Sequence, residues 1–508
     1  MDNLMKKIIL ILLSVLLIIS FVSCGNSSTD STSSDSTSIP ADDIILAPAD
    51  KTLASVDGID ISVYALRYFY VNAYKDFCEK NYSDISKYFD PSLPLHTQVP
   101  THADYKEYAT WYDYFLSMAK RDLEYYIAFA KDAKKDGISL TDEEKAAVDQ
   151  SVADLEENAK SYDVSFAEYM EQFEMMGPGV TPETVKEVYY IFQLATKYSR
   201  VKYDSFEITS DDIQKEFEKD KKSYSTVDYS IITIVPKYDA TSTDDEKENA
   251  KKKAVEDADK FTSYIESGKS FFEAHKLTYP ELGDEEHTEF LNSCEINDAE
   301  YVKDDTLSEW LFDEARKSGD INRTVDSQGK IKIVQIAKAA TKNDSPLLNI
   351  RYIYIDLSLQ HYNEVTAPAL AKDIIAEIKS ADDKDKKFAE LVALHSNDTN
   401  TNQTGGLIEN VTPESTMLPE NIISWCFEDG RELYDCDYKE YTSYGVVCGY
   451  FITFISSNGR PYYEYQIETK LKSELFANYI EDITKNISIE YDLSFQTLYI
   501  NKPVTSNF

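Results

Sequence analysis

The sequence predicts an α+β multidomain chain, and three observations carry that prediction. The 508 residues make room for about three domains at roughly 150 residues each. Apolar residues keep helical spacing up to residue 225 and then give way to strand-like runs. The order of strand-like and helical runs then occurs twice, which reads as two tandem β–α–β units of about 110 residues each. The boundaries that follow are 45–225 for a helical domain, 226–340 and 347–456 for the two units, and 460–508 for a last helix and tail.

The N-terminus comes first in order. Lys6 and Lys7 precede an apolar run from Ile8 to Val22, too short for a comfortable membrane span and shaped like the apolar core of a signal peptide. It ends in Phe21-Val22-Ser23-Cys24-Gly25. A small residue followed by Cys resembles the lipobox of bacterial lipoproteins. The resemblance implies a signal peptide over 1–23, lipidation of Cys24, and anchoring at the outer face of the bacterial cell membrane. Asn26 to Ser38 contains only Asn, Ser, Thr and Asp, so 24–44 reads as a solvated tether.

In the helical part, Leu116, Ala119, Leu123, Tyr126, Ile127 and Ala130 form one apolar stripe. Gly137 is a helix stop, Thr141 with Glu144 a capping box, and Thr181-Pro182 a helix start. Thr209 to Lys222 reads as an amphipathic helix. In the first unit, Val227–Val235 and Lys330–Ile336 read as strands, with helices over 245–267, Phe271–His275 and Leu307–Ala315. In the second, Leu348–Leu357 and Val446–Ile455 read as strands, with helices over 365–378, Phe388–Leu394 and Ile422–Phe427. Glu464 to Lys485 is one more helix.

Composition narrows the function. Lys+Arg is 52 and Asp+Glu 91, a net charge of −39. Such a chain is repelled by nucleic acid and by anionic lipid. Only 15 glycines argue against a glycine-rich nucleotide site, and 38 tyrosines suit polypeptide-like partners. Besides Cys24, the five cysteines Cys78, Cys294, Cys426, Cys436 and Cys448 form neither a disulfide framework nor a zinc site. Cys426 and Cys436 could pair, but buried free thiols fit better. No metal and no cofactor is expected.

The second unit contains Phe388-Ala389-Glu390-Leu391-Val392, then Ser396-Asn397-Asp398, Thr404-Gly405-Gly406-Leu407, Leu418-Pro419-Glu420, Phe427, and Cys448-Gly449-Tyr450-Phe451-Ile452. This series resembles the parvulin (PpiC-type) family of peptidyl-prolyl cis-trans isomerases. The first unit is more eroded, keeping Gly268-Lys269-Ser270-Phe271-Phe272-Glu273, Trp310-Leu311-Phe312 and Gly319-Asp320-Ile321. Ala54–Ile61 and Ile208–Tyr224 resemble the corresponding flanks of the SurA/PrsA-type extracytoplasmic foldases. The resemblance implies a helical peptide-binding domain, two units each built as a small antiparallel sheet with helices, and a last helix that returns to the N-terminal domain.

Parvulins use two histidines on adjacent strands, a Cys or Asp, and an apolar floor. Carried over, the histidine positions fall on Tyr352 and Phe451 in the second unit and on Ile231 and Ile331 in the first. The carboxylate position falls on Asp398, the floor on Met417 or Leu418, Ile422 and Phe427, and the structural turn on Gly405 and Gly406. Tyr352 with Phe451 then makes an aromatic pair, Ile231 with Ile331 an apolar one, and Asp398 lacks imidazole partners. His395 and His275 read as helix-end dipole partners, and Asp284-Glu285-Glu286 as a solvated run.

The reading implied is a membrane-anchored foldase or chaperone for unfolded or nascent secreted proteins, Xaa-Pro segments included, with weak or lost isomerase activity. One alternative is an active isomerase working through 347–456. Another is a solute-binding or adhesion lipoprotein. The sequence specifies no oligomeric state.

Overall fold

The computed structural model describes residues 48–358, 363–398, 401–413, 415–428, 430–443, 445–485, 487 and 489–491. The expectations for the signal peptide 1–23, Cys24, the tether 24–44 and the tail beyond 491 lie outside the described residues. The chain divides into two compact units. One takes the residues up to Glu207 together with those from Leu471 onward; the other is Ile208–Lys470.

The first unit opens with a hairpin of β1 (Thr52–Val56) and β2 (Ile59–Ser62). Its turn residues Asp57 and Gly58 both have positive φ, 48° and 76°, as a tight hairpin turn requires. Five helices follow: α1 (Val63–Lys80), α2 (Trp111–Lys135), α3 (Asp142–Ser161), α4 (Phe166–Gln172) and α5 (Pro182–Asp204). The expected punctuation forms. Thr141 N donates to Glu144 Oε2 at 2.7 Å, and Glu144 N donates back to Thr141 Oγ1 at 3.2 Å. Thr181 caps α5 with Pro182 in its first turn. Ala119, Leu123, Tyr126, Ile127 and Ala130 of the stripe are buried in one core with Trp111, Phe115 and Phe129.

The second unit runs α6 (Ser210–Lys219), β3 (Ser225–Ile234), α7 (Asp244–Glu266), α8 (Phe271–Thr278), α9 (Asp284–Cys294), β4 (Glu295–Glu300), α10 (Thr306–Leu311), β5 (Ile321–Val325) and β6 (Ile331–Lys342). It continues with β7 (Pro346–Asp356), α11 (Thr366–Ser380), α12 (Lys384–His395), β8 (Leu407–Val411), α13 (Glu420–Cys426), β9 (Cys436–Ser443), β10 (Val446–Pro461) and the start of α14 (Tyr462–Lys485). Two four-stranded antiparallel sheets result, ordered β4-β3-β6-β5 and β8-β7-β10-β9. Their topologies match strand for strand. Each buries one face under a pair of helices, α7 and α8 in the first and α11 and α12 in the second. The other face meets a single short helix, α10 or α13.

Several expectations need correction. The edge strands β4, β5, β8 and β9 and the helix α9 were not foreseen. Edge strands pair on one side only and carry polar residues as protection; β4 reads Glu-Ile-Asn-Asp-Ala-Glu and is largely exposed. The Ile231–Ile331 pair does not form. Ile231 lies opposite Val334, and Ile331 opposite Ile234. Positions 231 and 234 are an odd number apart, so they face opposite sides of the sheet. Each isoleucine accordingly belongs to a different core. Helix α6, read with the helical domain, belongs to the second compact unit.

From Leu471 onward α14 belongs to the first unit. Its Phe476 packs on Phe129 at 5.8 Å and Tyr203 at 5.6 Å between ring centroids. Tyr479 Oη donates to Asp132 Oδ2 at 2.7 Å.

Candidate functional site

The site grows from strand alternation on β7 and β10. Ile350, Tyr352 and Tyr354 share one face of β7, and Phe451, Thr453 and Ile455 share the same face of β10. The register sets Phe451 opposite Tyr354 and Thr453 opposite Tyr352. Phe451 therefore stacks on Tyr354 with centroids 4.6 Å apart, and meets Tyr352 diagonally at 5.6 Å. Such ring pairs contribute about 0.5–1.5 kcal/mol beyond their buried area. Helix α13 adds Ile422, Ile423, Trp425 and Cys426 to this cluster, with Leu418 just ahead of it and Phe427 just after.

Two floor candidates separate here. Leu418 is buried, whereas Met417 is 59% exposed. The chain bends at both residues on its way into α13, turning Leu418 into the cluster and Met417 out to solvent. Met417 is removed from the floor.

Asp398 comes from the segment after α12. That segment is held against β7: Asn397 N donates to Tyr354 O at 2.8 Å, and Asp356 N donates to Asn397 Oδ1 at 2.9 Å. So held, Asp398 Oδ2 accepts from Tyr352 Oη at 2.5 Å, Thr401 Oγ1 at 2.6 Å and Thr401 N at 3.1 Å. Asp398 is not left without a donor, as the lost histidines implied. A phenol takes that place.

The double glycine locks the arrangement. Tyr352 N donates to Gly406 O at 3.0 Å. Gly406 has φ +74°, and a Cβ there would lie 2.4 Å from Tyr352 O. A Cβ on Gly405 would lie 2.5 Å from that of Ala389. Arg351, which sequence reasoning missed, clamps the turn. Its Nη1 donates to Thr404 O and Gly405 O, both at 2.9 Å, while its Nε donates to Asp385 Oδ1 at 3.1 Å. Thr401 and Tyr354 were missed too. Tyr354 was legible, since it lies two residues from Tyr352 on a strand.

Electrostatically the centre is quiet. Burial, reinforced by the Asp398 hydrogen bond, pushes the Tyr352 phenol well above the usual tyrosine range. Burial pushes Tyr354 up to about 12, with Asp356 adding to it. Both phenols stay neutral donors at physiological pH. Two buried polar atoms of this core, Thr453 Oγ1 and Trp425 Nε1, have no hydrogen-bond partner among the described residues.

The remaining candidates scatter. His395 ends α12. His275 lies in the last turn of α8, but its ring is buried, with Nδ1 2.9 Å from Nδ1 of His287. It is an interior residue and not a helix-end dipole partner. Asp284, Glu285 and Glu286 form the exposed first turn of α9. Cys78, Cys294, Cys426, Cys436 and Cys448 are free thiols, the middle three buried.

The geometry thus defines a repeated antiparallel-sheet unit whose second copy holds a filled aromatic–carboxylate centre. No protein-family model matches the chain, and no curated protein matches it. Similar solved structures include two foldase proteins. One is the foldase protein PrsA from Streptococcus pneumoniae, at 13% identity, covering 88% of this chain and 97% of that one, with a TM-score of 0.22. The other is the foldase protein PrsA from Lactococcus lactis, at 14% identity, covering 58% and 80%, with a TM-score of 0.20. TM-scores of this size carry no functional argument, which is drawn instead from the residues of the site.

Proposed function

We propose that this protein is a membrane-anchored, extracytoplasmic foldase or chaperone. It binds unfolded or nascent secreted polypeptides, Xaa-Pro segments among them, and its peptidyl-prolyl isomerase activity is weak or lost. The observation that carries the reading is the state of Asp398. One of its oxygens already accepts three protein hydrogen bonds, one of them from the buried Tyr352. Rotation about an X–Pro bond faces a barrier of about 18–20 kcal/mol. Catalysis requires groups that favour the twisted amide over both planar forms. A centre filled by Tyr352, Tyr354 and Phe451, with its carboxylate engaged internally, offers little to a twisting amide. The repeated sheet units and the abundance of tyrosine support a binding role.

Cys24 is proposed as the lipid attachment point and the outer face of the cell membrane as the location. The test of function is aggregation of an unfolded secreted protein followed with and without the chain. Suppression at stoichiometric ratios is expected; none would contradict the reading. The anchor is tested separately by Cys24→Ala, which should release the protein from the membrane fraction.

A further inference from the structure

The first sheet leaves bare a stretch of strand edge that the second sheet covers. Backbone direction follows from the ladder. Gly319 N donates to Ile336 O at 2.7 Å and Ile336 N donates to Asp320 O at 3.0 Å, so Ile336 turns its peptide groups toward the β5 side. Successive residues of a strand turn them to opposite sides. Gln335, Ile333 and Ile331 therefore face β3, opposite Ser230, Ile232 and Ile234. It follows that Ile231, Thr233 and Val235 turn their N–H and C=O groups to the other edge. Strand β4 covers that edge from Thr226 to Ser230 only. The Ser230–Glu295 pairing engages the Ile231 N–H, and beyond it no strand pairing reaches Thr233 or Val235 on this side among the described residues.

In the second sheet Tyr354 and Asp356 hold the matching places on β7. There the edge is occupied by the chain itself. Asn397 N donates to Tyr354 O, Tyr354 N donates to Ser396 Oγ at 3.3 Å, and Asp356 N donates to Asn397 Oδ1. In the first unit the chain leaving α8 turns at Tyr279-Pro280 and forms α9 instead of such a strap. A groove of about 690 Å³ remains along Ile231–Lys237, walled by Tyr279, Leu282 and Phe290.

We propose that this edge binds an extended polypeptide segment as an added strand, one with aliphatic residues at alternate positions and lysine or arginine between them. Main-chain hydrogen bonds to Thr233 and Val235 would give affinity and the groove would take side chains. Charge selects the occupant. Lys253 at the groove is already paired with Asp257 at 2.7 Å. Lys237 also lines the groove and Asp284 is paired with Lys276 at 3.6 Å, but Glu281 at the groove and Glu285 and Glu289 beside it are exposed, on a chain of net charge −39. The proposal rests on the reading of the chain as a binder of unfolded polypeptides, and it locates one place where binding occurs.

The test uses the full chain and a fluorescent heptapeptide of alternating valine and lysine. Anisotropy should show saturable binding that weakens with salt, and hydrogen exchange at Thr233 and Val235 should slow. Thr233→Pro removes one outward N–H while sparing the β6 ladder, as an edge position allows, and should weaken binding at least about 10-fold. Val235→Lys, at a position 48% exposed, should also weaken it through repulsion of the basic peptide, with the unfolding midpoint unchanged. Unaltered peptide affinity in both variants without edge protection overturns the proposal. So does edge protection that needs no peptide, whether it rises with protein concentration (a second copy) or vanishes when 24–47 is deleted (the chain's own tether). Aggregation suppression run in parallel separates the two readings. Suppression without edge protection by the peptide sinks the edge alone, whereas absence of suppression by the wild type sinks the broader function.

Discussion

Tyr352 donates its phenolic hydrogen to the carboxylate of Asp398 across 2.5 Å, joining residues 46 apart in sequence. The bond fixes what the centre of the second sheet can be. The phenol is neutral across the physiological range, and it spends its hydrogen on a carboxylate that would otherwise face the cluster. The same ring meets Phe451, which stacks on Tyr354.

Tyr352→Phe tests that bond directly. It keeps the ring and deletes the donor, so it should destabilise the chain by about 1.5–3 kcal/mol, the range for hydrogen bonds to charged groups. Urea unfolding followed by tyrosine and tryptophan fluorescence measures it. Asp398→Ala in the Tyr352→Phe background should cost less than Asp398→Ala alone, because the pair is coupled.

Gly406→Ala should be among the most damaging single-methyl additions in the fold. It combines positive φ with a clash against Tyr352 O at 2.4 Å. Positive φ alone costs about 1–2 kcal/mol for a residue with a Cβ. Gly430→Ala provides the reference, since φ there is +84° and a Cβ meets nothing within 4 Å. The difference in unfolding free energy between the two variants isolates the clash, and Gly406→Ala should be the worse by a clear margin.

Thr453→Val should stabilise. Thr453 is 1% exposed and its hydroxyl has no partner among the described residues. Valine keeps the shape and the strand preference while removing a desolvated hydroxyl, a gain of about 1–3 kcal/mol by the usual cost of an unsatisfied group. A higher urea midpoint at unchanged slope is the expected result. A lower one would mean the hydroxyl is satisfied in solution.

The first sheet unit should lose stability in acid through His275. Burial, with His287 adjacent, pushes the His275 imidazole down to about 4 from 6.5. The folded form is therefore neutral where the unfolded chain already binds a proton. Stability is full above about pH 6.5 and falls as pH drops toward 4, with a slope of up to about 1.4 kcal/mol per pH unit from this one group. His275→Gln should flatten that part of the pH–stability curve.

How much of this was legible in the sequence differs by feature. Helices announced themselves through caps such as Thr141 with Glu144, because a capping box is local chemistry. The join of Tyr352, Phe451 and Asp398 was reachable only through the family resemblance of the second unit's motifs, which implied those positions. The edge strand Glu295–Glu300 was not, since its residues look like solvent-facing loop and only pairing with β3 makes them a strand. The Ile231–Ile331 error came from placing two residues on strands without their register. Arg351 gave no signal either: an arginine on an apolar strand declares its role only when Thr404, Gly405 and Asp385 converge on it. His275 and His287 meet only because two short helices fold onto each other.

The central proposal is that the second sheet's centre is filled and internally bonded, so that the protein holds chains with weak or lost isomerase activity. The most direct measurement is a protease-coupled Xaa-Pro peptide assay on the purified chain, with Asp398→Ala beside it. The account predicts a rate close to the uncatalysed one, the same in both proteins. A strong acceleration that collapses in Asp398→Ala would contradict it.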